Sequence, residues 1–226
     1  MISIKGLSKS YGNKQVLKDI NLEFPKGGVY GIIGENGSGK STFFRCIAGL
    51  ENHEGAILSD LPNLKNELGF LQTNPDFMSR ITGWEYLKLL CIARDINDDD
   101  FERQNIFDLP LAQYAETYST GMKKKLALLG ILLQHNEVFI LDEPFNGVDI
   151  HSNIIITEII RKLKSCGKTV LISSHIFSTL SDNCDVIHLL KDGKFVKSAG
   201  PDEFEQLNAG MREFAVGNSL DRLNIR

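Results

Sequence analysis

Long apolar runs are missing from this chain of 226 residues. The longest, at 126–133, has eight residues, whereas crossing a bilayer takes about 20. Any role at a membrane must therefore come through a partner. The opening Met1-Ile2-Ser3-Ile4-Lys5 has neither the basic nor the apolar region of a secretory signal. Excess positive charge is missing too: 25 Lys and Arg stand against 29 Asp and Glu, a net charge of −4. Nucleic acid as the main partner would call for a clustered basic surface. Cys46, Cys91, Cys166 and Cys184 are scattered without a C-x-x-C pair. Reduced, packed thiols are expected rather than a disulfide frame or a zinc site. Repeats and low-complexity segments are absent as well. What remains reads as a cytosolic globular domain whose 42% hydrophobic residues supply an ordinary core.

The apolar rhythm changes along the chain. Ile2 and Ile4, then Val16, Leu17, Ile20, Leu22 and Phe24, predict short antiparallel strands. Turns are expected at Tyr11-Gly12-Asn13 and Pro25-Lys26-Gly27-Gly28. Residues 29–33 read as a buried strand, and 55–58 and 68–72 as two more. From Asn74 to about Asn136 the pattern is mostly helical, with Trp84, Leu87 and residues 89–91 at helix spacing. Asn97-Asp98 resembles a cap for a helix reaching Phe107, and 121–134 is strongly periodic. Asp98-Asp99-Asp100 lacks the glycine and the bidentate glutamate of a calcium loop, so it reads as a solvated helix start. Strands return at 138–141, 169–173 and 186–190, with helices at 152–165 and 176–183 between them. Such alternation predicts an α/β fold with a mainly parallel sheet covered on both faces. The expected units are a core from 1–73 and 137–200, an inserted helical subdomain at 74–136, and a tail at 201–226. In the tail, 201–207 reads as a short helix and 214–226 as a strand, a loose end or a dimer contact.

Two segments carry chemistry. Gly34-Glu35-Asn36-Gly37-Ser38-Gly39-Lys40-Ser41-Thr42 lies between the strand at 29–33 and a helix-like stretch at 40–50. A strand, a Gly-x-x-x-x-Gly-Lys-Ser loop and a helix form a phosphate cradle, because backbone N–H groups curl around an anion at a helix start. Lys40 would reach the β/γ-phosphates and the Ser41 hydroxyl would ligate Mg²⁺. The second segment, Val138-Phe139-Ile140-Leu141-Asp142-Glu143-Pro144, ends a buried strand in two carboxylates, at the sheet edge where ligands bind. Asp142 fits an acid that holds Mg²⁺, and Glu143 a base that orients or deprotonates water. A further helix start, Tyr118-Ser119-Thr120-Gly121-Met122, is followed by Lys123, Lys124 and Lys125 with no adjacent acid. It suits either an anion held by Ser119 and the Gly121 N–H, or an ordinary serine cap.

In this order the segments resemble the nucleotide-binding domain of ATP-binding cassette (ABC) transporters, from about Ile2 to Gly200. The resemblance implies a P-loop NTPase core with an N-terminal antiparallel β-subdomain and an inserted α-helical subdomain. It implies Mg-dependent ATP hydrolysis, with the loop as Walker A and the acidic strand as Walker B. Tyr11 falls where the family stacks an aromatic on adenine. Gln72 looks like the glutamine that senses Mg²⁺ and the γ-phosphate. Asp149, in Asn146-Gly147-Val148-Asp149, sits at the dimer-contacting position of the D-loop, and His175 at the switch histidine. Ser119 and Gly121 stay where the family touches the opposite nucleotide, while Tyr118, Thr120 and Met122 depart from Leu-Ser-Gly-Gly-Gln. That signature, with Ile81-Thr82-Gly83-Trp84-Glu85-Tyr86-Leu87, looks like the exporter branch.

The implied partners are a second cassette and separate transmembrane permease subunits, which would place the chain peripherally on the cytoplasmic face of the plasma membrane. Phe77, Met78, Trp84 and Tyr86 would line the groove for the permease or serve as local core. A soluble ABC ATPase serving an assembly complex, such as iron–sulfur cluster building, would share every nucleotide residue. A GTPase would need Asn-Lys-x-Asp, and Asn13-Lys14-Gln15-Val16 lacks the acid.

Overall fold

The computed structural model describes residues 1–97 and 99–216. Strands β1 (Ile2–Tyr11) and β2 (Lys14–Phe24) form an antiparallel hairpin, and β4 (Glu54–Ser59) pairs antiparallel with the other side of β1. The second sheet is built on β3 (Val29–Ile33), β5 (Leu68–Leu71), β6 (Val138–Asp142), β7 (Thr169–Ser174), β8 (Val186–Lys191) and β9 (Lys194–Ala199). Its order is β5-β6-β7-β3-β8-β9, parallel throughout except for β9.

Every residue of β3, β6 and β7 is buried. Their side chains alternate between two cores because successive residues point to opposite faces of a sheet. Tyr30, Ile32, Val138, Ile140 and Leu171 join the hairpin residues and Phe43 and Phe44 of α1 (Lys40–Ile47). Val29, Ile33, Phe139, Leu141, Val170 and Ile172 join the other core. That side is covered by α2 (Gly83–Ile92), α4 (Thr120–Leu133) and α5 (Ile150–Ser165), with α6 (Phe177–Ser181) and α7 (Phe204–Val216). Continuous apolar strands thus end up covered on both faces, as the pattern predicts. Cys46, Cys91 and Cys184 are buried, Cys166 is exposed, and all four are free thiols.

The structure corrects three expectations. The helix foreseen up to Phe107 is only α3 (Phe101–Gln104), capped by Asp100 rather than by Asn97-Asp98; Asp98 lies outside the described residues. Asn105 stops it: its side-chain oxygen accepts from Leu109 N at 3.0 Å and its amide donates to Leu109 O at 2.8 Å. An asparagine that closes its own turn competes with the helix ladder. Strand β9 was not foreseen, because the exposed/half-buried alternation of Lys194–Ala199 is a weak apolar signal on a lysine-bearing edge. In the tail, 201–203 form a single tight turn and α7 continues to Val216. The part of the 214–226 expectation beyond 216 lies outside the described residues.

Candidate functional site

The carboxyl ends of β5, β6, β7 and β3 lie side by side, which gathers four chain segments at one edge. After β3 the glycine-rich loop turns into α1, whose cap Gly39 has φ 112°. A Cβ there would approach Leu17 Cδ2 to 2.9 Å, and one at Gly34 would approach Leu190 O to 2.4 Å. Both positions need glycine for the loop to pack against β2 and β8. Lys40 is only 6% exposed. Its ammonium donates to Gly34 O at 2.7 Å and Glu35 O at 3.2 Å, and lies 3.6 Å from Glu143 Oε1. The result is an open cleft of about 240 Å³ lined by Asn36, Gly37, Gly39, Lys40, Ser41 and Thr42. Val16, Thr73, Glu143, Asn146 and His175 complete its wall. Gly34, Glu35 and Ser38 face a second hollow of about 730 Å³, shared with Leu189, Val196 and Met211.

Opposite the loop, Asp142 ends β6 and is 2% exposed. Thr73 Oγ1 donates to Asp142 Oδ2 at 2.6 Å, and the Ser173 hydroxyl donates to Oδ1. The strand order explains the trio, since β6 lies between β5 and β7 and Asp142 is paired with Ser173. Glu143 then leaves the strand with φ 51°. A non-glycine residue in that left-handed region costs about 1–2 kcal/mol, so its surroundings must hold it. Ser173 Oγ accepts from its N–H at 2.9 Å. The turn aims the side chain at the cleft, where Oε2 is 2.9 Å from His175 Nδ1.

Two buried oxygens in this region have no hydrogen-bond partner, Ser38 Oγ and Glu143 Oε1. A loop hydroxyl without a hydrogen bond suits a phosphate oxygen, and a carboxylate oxygen that has only the Lys40 charge beside it and no hydrogen bond suits a water molecule. The donors also fit a hard divalent cation, because Ser41 offers a hydroxyl and the Asp142 carboxyl oxygens keep lone pairs beyond the two that accept from Thr73 and Ser173.

The remaining candidates lie elsewhere. Ser119 caps α4, its Oγ accepting from Met122 N at 3.2 Å, and is exposed outside the lining of the cleft. Gly121 packs so closely that a Cβ would lie 2.8 Å from Gly147 O. Asp149 caps α5 by accepting from Ser152 N at 2.8 Å and from Lys125 Nζ at 3.2 Å. The Ser152 amide, its hydroxyl and Lys125 hold that carboxyl well below the usual range. Tyr11 is 45% exposed with the Lys9 ammonium 4.7 Å over its ring, and Val16 lines the cleft instead. Gln72 is exposed and takes no part in the lining; its neighbour Thr73 does. Consecutive residues at a strand end point in opposite directions, so only one of the pair can face Asp142.

Sequence reasoning assigned no role to Thr73, Ser173 or Asn146, nor to Lys124, which is 1% exposed on α4 and donates to Glu143 O at 2.8 Å. Thr73 was legible in principle as the alternate of Gln72. Lys124 was legible from spacing, since Leu128 and Ile131 on the same helical face are buried. Replacing Thr73 with Val should lower stability by about 1–2 kcal/mol, because a buried carboxylate oxygen loses its donor. Thermal melts should show the loss for T73V and its recovery in T73S; equal melting of T73V and the native chain would contradict it.

The ABC transporter family profile matches residues 17–146, from within β2 to the turn after Glu143. The chain belongs to the ABC transporter family. It is 31% identical to the lantibiotic transport ATP-binding protein SrtF of Streptococcus pyogenes, covering 92% of this chain and 94% of that protein. It is 29% identical to the bacitracin transport ATP-binding protein BcrA of Enterococcus faecalis, covering 96% and 75%. A solved ATP-binding subunit of an ABC transporter superposes with a TM-score of 0.81 at 26% identity, over 92% of this chain and 93% of that one. This ABC chain is thus an ATP-binding subunit of a family whose ATP-binding domains hydrolyse ATP. Among the described residues, no helix is long and apolar enough to cross a membrane.

Proposed function

We propose that two such cassettes close head to tail around two ATP molecules and drive export of a substrate through separate membrane subunits. The observation that carries the pairing is the division of anion-binding parts. Lys40, Ser41, Glu143 and His175 share one cleft, whereas Ser119 at the start of α4 is exposed outside it. A second chain would bring its Ser119 and Gly121 to the first chain's nucleotide through an isologous interface. Phosphoryl transfer to water needs mainly positioning and charge stabilisation. Lys40 and the loop N–H groups take the phosphate charge, Glu143 draws the proton of the attacking water, and His175 holds Glu143 and faces the γ-phosphate. Ser41 and Asp142 would hold Mg²⁺, which when bound neutralises charge on the phosphates. ATP then closes the interface and its hydrolysis releases it.

Export is supported by the Tyr118-Ser119-Thr120-Gly121-Met122 signature and by relatives named for bacitracin and lantibiotic transport. The helical unit at 74–136 is the part we assign to the membrane subunits. Met78 is 58% and Trp84 38% exposed there. Phe77 and Tyr86 are half-buried and pack on each other with ring centroids 4.7 Å apart, so the docking role narrows to the exposed Met78 and to Trp84, whose other edge rests on Phe101. Affinity purification from detergent-solubilised membranes should recover an integral membrane protein with the chain. Recovery of soluble assembly factors alone would overturn the transport reading.

A further inference from the structure

Lys124 is a lysine without solvent. It sits in the first turns of α4, is 1% exposed, and donates to two backbone carbonyls, Glu143 O at 2.8 Å and Asn146 O at 2.7 Å. Burying an ammonium is unfavourable unless its hydrogen bonds are made, and here they are made to the turn that carries Glu143. The other polar contacts of that turn converge on the same residue. Glu143 N–H donates to Ser173 Oγ at 2.9 Å, and Asn146 N–H donates to Glu143 O at 3.2 Å. With φ at 51°, Glu143 keeps a backbone shape that its own sequence disfavours, pinned on one side by β7 and on the other by α4.

We propose that Lys124 is a positioning residue for hydrolysis, fixing the Glu143 carboxylate in the cleft and tying it to the helix that begins at Ser119 and Gly121. The helix start and the turn are in close contact, since a Cβ on Gly121 would meet Gly147 O at 2.8 Å. A shift of α4 when its N-terminus engages a nucleotide would therefore pull on Glu143 through the Lys124 ammonium, so the base is set only when the signature helix is seated. The proposal rests on Glu143 being the base, as argued above.

Three variants test it: K124M, which is close in volume but has no donors, K124Q, which keeps a neutral amide donor group, and K124R, which keeps charged donors. The readouts are kcat, KM for ATP, equilibrium ATP affinity and the melting temperature. A misplaced base should cost K124M about 10–100-fold in kcat, with ATP affinity unchanged. K124R should retain more rate than K124M. If the side chain only fills space, Met would outperform Arg, and that ranking would overturn the proposal. Should K124M fail to fold, K124Q takes its place against K124R with the same reading. In a Glu143→Gln background K124M should add no further loss, because both changes act through one group; an equal additional loss there also overturns it. A Glu143→Gln enzyme that hydrolyses at full rate would instead fail the reading of Glu143 itself, a result that single-variant kinetics separates from the Lys124 outcome.

Discussion

With Glu143 replaced by Gln, the chain should bind ATP normally, remain paired and lose hydrolysis by the order of 10²-fold or more. The geometry favours a clean separation of binding from chemistry. Gln keeps the shape of Glu and can still hydrogen-bond His175, now 2.9 Å from Oε2. It removes the negative charge 3.6 Å from the Lys40 ammonium, which competes with phosphate for that cation. ATP affinity should therefore hold or rise while proton transfer from water is lost. Equilibrium binding together with single-turnover phosphate release measures both. Brisk turnover by E143Q would remove Glu143 from the role of base.

The second large effect concerns pH and stability. His188 on β8 is 4% exposed among Phe24, Tyr30 and Phe195, at ring distances of 5.7, 6.4 and 5.9 Å. Its Nδ1 is 2.7 Å from Ser198 Oγ and its Nε2 has no partner. Burial pushes its pKa down to about 4, whereas an unfolded histidine titrates near about 6.5. Between those values the unfolded chain carries the extra proton, so stability is fully present above about pH 6.5 and falls as pH drops toward 4. The full loss is about 3 kcal/mol, or roughly 6–12 °C in melting temperature for a domain of this size. His188→Gln, which keeps a partner for Ser198, should melt with a shallower pH dependence over that interval. Identical slopes for the two proteins would sink the assignment to His188.

Much of the fold follows from local pattern. Continuous apolar runs such as Val29–Ile33 and 138–141 announce burial on both faces, and the glycines with Lys40 and Ser41, set between a strand and a helix, announce a phosphate cradle. What stayed hidden depends on contacts between distant segments. Thr73 and Asp142 are 69 positions apart, and nothing near Thr73 says that it, rather than Gln72, will face the acid. Lys124 sits in a run of three lysines whose composition says solvent, and only the helical phase of its apolar neighbours says otherwise. The short α3 was misjudged for a different reason: side-chain bonding by Asn105 overrides a cap signal a few residues upstream.

Cys166 offers a practical consequence. It is the exposed member of four thiols and closes the carboxyl end of α5, a 16-residue helix that starts at the Asp149 cap. At about 1.5 Å per residue the helix is roughly 24 Å long, so a maleimide dye would sit far from the nucleotide edge, just ahead of the first residue of β7. Fluorescence energy transfer between two dyes on unaltered chains could then follow opening and closing of the pair in real time, with no engineered handle.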